Sequence, residues 1–104
     1  MKLAANHFFT FIAIYAANAD ADIEQKQIKL IIKDSGKELY EEMRDLFDSL
    51  SDKDRLDLIQ ENNHFYNTKE SKERLFQRMN DIFLVHGHAN ASESAVIRML
   101  KHIL

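Results

Sequence analysis

The feature that most narrows the folding options is what the chain lacks: it has no proline and only two glycines in 104 residues. Those two residue types end helices, cap them in left-handed conformations and form the tightest turns. A chain this poor in breakers reads as helices joined by short polar turns. The apolar spacing agrees. Apolar residues recur at steps of three and four, and nowhere is there the sustained alternation of a half-buried strand. The predicted fold class is all-α, a compact bundle of about six helices in a single domain over residues 1–104.

The first predicted helix runs from about Leu3 to Asn18. With Phe8, Phe11, Ile12, Ile14 and Tyr15 it is apolar almost all round, which predicts a central, buried helix. The second starts at Asp22 as N-cap, with Gln25 at the return position of a capping box, and carries Ile23, Ile28, Leu30, Ile31 and Ile32. Ser35-Gly36 breaks it. Ser35 is then expected to cap the third helix, with Glu38 at the return position and a stripe of Leu39, Met43, Leu46, Phe47 and Leu50. Ser51 caps a fourth helix with Leu56 and Ile59 facing inward, which frays at Asn62-Asn63. His64-Phe65-Tyr66 reads as the end of that helix, either an aromatic contact surface or a plug between two helices. Asn67 with Glu70 marks the fifth helix, whose stripe is Leu75, Met79, Ile82 and Phe83. Ser92 caps a sixth, with Val96, Ile97, Leu100, Ile103 and Leu104 inward.

Charge and cysteine content then exclude whole classes. The net charge is −3 with His neutral, and the densest basic stretch, Lys69 to Arg78, also holds Glu70 and Glu73. Phosphate contacts need clustered Lys and Arg, so a nucleic-acid partner is not expected. With no Cys there is no disulfide, thiolate metal site or Cys nucleophile. No run approaches the ~20 apolar residues of a spanning helix. Ala17-Asn18-Ala19 ahead of Asp20 has the small-residue pattern of a signal-peptidase site. However, the apolar stretch from Phe8 to Ala17 is short and follows Asn6 and His7, so a buried first helix and a cytoplasmic location are the expectation.

The two ends of the chain match each other. Shifted by 68 residues, Phe8 falls on Phe76, Phe11 on Met79, Ile14 on Ile82 and Tyr15 on Phe83. Ala21 then falls on Ala89, Asp22 on Asn90, Ile28 on Val96 and Ile32 on Leu100. Each half is a helix, a short turn of small residues and a second helix. Two such hairpins packed face to face would bury each other's apolar stripes, giving a bundle built from two pseudo-symmetric helical hairpins.

The turns carry a family resemblance. Ala17-Asn18-Ala19-Asp20-Ala21-Asp22-Ile23, and a second copy at Gly87-His88-Ala89-Asn90-Ala91-Ser92, resemble the helix–turn–helix pattern of the tellurite-resistance TerB-like family. That family's turn is of the type Ala-x-Ala-Asp-Gly-x-Ile, with an acidic residue early in the next helix. The likeness spans roughly Phe8 to Leu104. It implies a compact helical bundle, a stress-response or tellurite-resistance setting, and metal binding through acidic turn residues. Ala21 and Ala89 stand where the family has Gly, His88 replaces the second Asp, and Gln27 lacks the acidic charge.

Asp20, Asp22, His86 and His88 are accordingly the candidate metal-binding residues. Carboxylate oxygen with imidazole nitrogen suits a divalent ion such as zinc, whereas the turn lacks the run of oxygen ligands and the central Gly of a calcium loop. As ordinary turn residues, Asp22 would be an N-cap and the others solvated. No Gly-x-Ser-x-Gly, phosphate loop or dinucleotide fingerprint is present, and Ser35, Ser51 and Ser92 sit at caps, so catalysis is not expected. The sequence therefore reads as a non-catalytic module that binds a protein partner or itself. The alternatives are a metal- or His-dependent enzyme using the four turn residues, favoured by a rigid cleft around them, and a self-associating structural protein.

Overall fold

A computed structural model of the chain describes residues 2–18 and 25–83. They form five α-helices and one 3-10 turn: α1 (Ala5–Ala17), α2 (Gln25–Ser35), α3 (Lys37–Ser49), α4 (Asp52–Glu61), the 3-10 turn Asn63–Tyr66, and α5 (Lys69–Phe83). There is no strand among the described residues. The Cα radius of gyration is 12.5 Å, that of a folded domain rather than of an open chain, which at this length would reach on the order of 30 Å.

α1 is the axis of the bundle, because a helix apolar on every side has no face to turn to water. Phe8, Phe11, Ile12, Ala13 and Ile14 are fully buried, and α2, α3 and α5 all pack against it. One polar residue, Thr10, is buried with them. Its hydroxyl donates to the Asn6 carbonyl one turn back (2.8 Å) and shares a second hydrogen bond with the Ser35 hydroxyl (2.6 Å). A buried hydroxyl left without partners would oppose folding, and these two bonds remove that cost.

Ser35 is thus not the cap of α3. It is the last residue of α2, and its side chain reaches across to Thr10. Gly36 holds the N-cap position of α3 with no side-chain bond, at φ 93° and ψ 150°. Its N–H donates to the Ile32 carbonyl and its carbonyl accepts from the Tyr40 N–H, so a single residue closes one helix and opens the next. That backbone region is essentially restricted to glycine.

On α3 the apolar stripe buries Met43 and Phe47, with Leu39, Leu46 and Leu50 half-buried against the core. The Phe47 ring lies 6.0 Å from Phe11 and 6.3 Å from Tyr15, centre to centre. The Arg55 guanidinium sits 3.7 Å from the Phe47 ring centre while its Nε donates to the Phe47 carbonyl. One cation therefore covers an aromatic face and satisfies a carbonyl at the negative end of α3.

Ser51 caps α4 as expected, accepting from the Asp54 N–H, with Asp52 and Asp54 in the first turn. The inward residues are Leu58 and Ile59, while Leu56 is only half-buried. The helix is tilted about its axis relative to the expected Leu56–Ile59 face. Its end is firm: Asn62 is fully buried, accepts from the Leu3 N–H and donates to the Leu58 carbonyl. His64, Phe65 and Tyr66 belong to the separate 3-10 turn, and Phe65 and Tyr66 close over Phe8 at 5.8 and 5.6 Å. Phe65 and Tyr66 are half-buried against the core, as the plug reading expects, while His64 is exposed.

The cap of α5 is Thr68, one residue later than the expected Asn67. The Thr68 hydroxyl accepts from the Ser71 N–H and the Ser71 hydroxyl accepts from the Thr68 N–H, a reciprocal box in which Ser71 does the work expected of Glu70. Leu75, Phe76 and Met79 are buried. Arg78 lies over the Phe9 ring at 3.6 Å and pairs with Asp34, tying α5 to both α1 and α2. The sixth helix, and with it the match of the two hairpins, falls outside the described residues.

Candidate functional site

The four residues singled out as metal ligands, Asp20, Asp22, His86 and His88, also lie outside the described residues. Among the described residues no group of three or more His, Asp or Glu is placed to hold a metal ion. No helix there is long and apolar enough to cross a membrane.

What the described residues do form is a cleft between the start of α1 and α3, of about 460 Å³. Its floor is Leu3, Ala4, Met43 and Leu46, and its rim carries Lys2, His7 and Glu42. Local folding builds each wall. Leu3 is held by its N–H bond to the buried Asn62, which fixes the extended segment ahead of α1. Met43 and Leu46 come from the apolar stripe of α3, one residue round from an acidic stripe, so the cleft has an apolar bottom and a charged edge.

His7 Nε2 lies 3.5 Å from Glu42 Oε2, with the His side chain 35% exposed and the Glu 63% exposed. At that distance the contact is at the edge of a hydrogen bond. The other ring nitrogen, Nδ1, is buried without a hydrogen-bond partner, an uncommon state for a buried polar atom. The lining thus offers an amine, an imidazole and a carboxylate over an apolar floor. A second concavity, about 340 Å³, is lined by Glu70, Glu73, Arg74 and Gln77 of α5 alone and is a solvated helix face.

Two phenols complete the electrostatic picture. Burial pushes the Tyr15 hydroxyl above its ordinary pKa; neighbouring Asp52 pushes it further up and Arg55 draws it back. Burial likewise raises Tyr66, with Arg78 opposing. Sequence inspection overlooked the His7–Glu42 pair. The two residues meet because of how α1 crosses α3, and no spacing pattern encodes that crossing.

Comparison with protein-family models, with curated proteins and with solved structures finds no match.

Proposed function

We propose that the chain is a TerB-like helical module that acts by holding a protein partner, in a stress-response or tellurite-resistance setting, rather than by catalysis. The observation that supports this reading best is the position of α1. It is apolar all round, runs through the centre of the bundle, and ends at Ala17 and Asn18, the first two residues of the turn that carries the resemblance. In this reading the bundle has six helices, and a hairpin of α5 with a helix over 92–104 is the twin of the α1–α2 hairpin. The two inter-helix turns then approach each other, and Asp20, Asp22, His86 and His88 bind a divalent ion such as zinc.

The test is a thermal melt of the whole chain with and without zinc. An ion bound only by the folded state at a concentration 100 times its Kd adds about 2.7 kcal/mol, a shift of several degrees in a domain of this size. The reading expects that rise, and expects it to be lost in His88→Ala. No rise at millimolar zinc, or an equal rise in the variant, removes the metal from the account.

A further inference from the structure

We propose that the cleft between the start of α1 and α3 is the docking surface for a basic amphipathic segment of a partner protein, which seats an apolar side chain between Leu3 and Leu46 and lays its cations along α3. This rests on the partner-binding reading above and supplies the partner's chemistry. The cleft's volume, about 460 Å³, lies within the ~300–1,000 Å³ of sites that take compact apolar groups, and its apolar floor suits a side-chain anchor.

Charge decides which partner. α3 carries five carboxylates against Lys37 and Arg44, and all five are exposed. Lys37 lies 4.0 Å from Glu41 and Arg44 lies 3.2 Å from Asp48, so those two acids have a cationic neighbour within the helix. Glu38, Glu42 and Asp45 remain, at i, i+4 and i+7, on one stripe. Among the described residues the only cationic or titratable contact to these three is the half-exposed His7 beside Glu42. This acidic stripe runs one residue round from the apolar stripe of α3, whose Met43 and Leu46 floor the cleft. An apolar cleft that opens beside an acidic helix face, with Glu42 on its rim and Glu38 and Asp45 one turn to either side, matches a helix with apolar anchors at i, i+3 and i+7 and Lys or Arg at its flank. It repels an acidic segment, because like charges set side by side reject the wrong partner.

The experiment titrates the isotope-labelled full chain with a synthetic helical peptide carrying Leu on one face and Lys on the others, and with a matched peptide in which Glu replaces Lys. Saturable amide shifts at Leu3, His7, Met43 and Leu46 are expected with the basic peptide alone. Affinity should fall as salt is raised, and by about tenfold in the Glu42→Lys, Asp45→Lys double variant, whose two sites are exposed and whose circular dichroism reports retained folding. No saturable shift, equal binding of the acidic peptide, shifts centred on α5, or unchanged affinity in a folded double variant overturns the proposal. Zinc binding without peptide binding would remove the cleft and leave the module. Peptide binding without a zinc response would keep the cleft and remove the metal.

Discussion

Asn62 uses both ends of its buried amide, joining the segment ahead of α1 to the last turn of α4. Truncation would leave the buried Leu58 carbonyl and the half-buried Leu3 N–H each short of a partner. Asn62→Ala should therefore cost about 1–3 kcal/mol in urea unfolding. A loss under about 0.5 kcal/mol, the size of an ordinary surface change, would contradict the role given to it. The tyrosines make a second residue-level prediction. Tyr15 and Tyr66 hold their protons more tightly folded than unfolded, since burial raises both. Their stabilisation is complete below the unfolded value near 10 and is lost as pH climbs through the folded value. The urea midpoint should drop above about pH 10 in step with tyrosinate absorbance, and Tyr66→Phe should blunt the drop; equal drops in both proteins would refute the assignment. At this scale the sequence was a partial guide. Ser51 is legible as a cap because cap and partner are three residues apart, but Asn62 reads as a fray and Ser35 as a cap because their true partners, Leu3 and Thr10, come from distant turns.

Among the elements, α1 was the most legible: its all-round apolar character left one place for it, and the core forms about it. The break between α2 and α3 was also visible at Gly36, although its cause is the backbone and not a cap. With φ 93° and ψ 150°, Gly36 occupies a region that side chains of either common turn type avoid, and a Cβ there would meet no atom within 4 Å. The cost of substitution is thus conformational alone. Gly36→Ala and Gly36→Asn should each lose about 1–3 kcal/mol, and Asn should give no relief, as it would at an ordinary left-handed turn. Recovery of stability in the Asn variant on chemical denaturation would show that the turn has another geometry. On α4 the expectation held for Ile59, which is fully buried, and failed for Leu56, whose place in the core Leu58 takes. Leu56, Leu58 and Ile59 are all apolar, so spacing alone does not choose between them; α4 is held through Arg55 on Phe47 and Asn62 on Leu3 with Leu58 and Ile59 in the core.

For the whole molecule, the described helices leave an apolar cleft with Glu42 on its rim, and the proposed module adds two inter-helix turns brought together by a repeated hairpin. The all-helical class followed from the want of breakers and the three- and four-residue spacing. The cleft did not, because it is a product of helix crossing. The central claim is that the turn at Asp20 and the turn at His88 share one site, and nuclear Overhauser contacts in the zinc-loaded full chain measure this most directly. The account predicts cross-turn contacts and backbones within about 12 Å, the span that side chains with metal bonds near 2 Å can bridge. Turns held farther apart than that, with or without zinc, would contradict it.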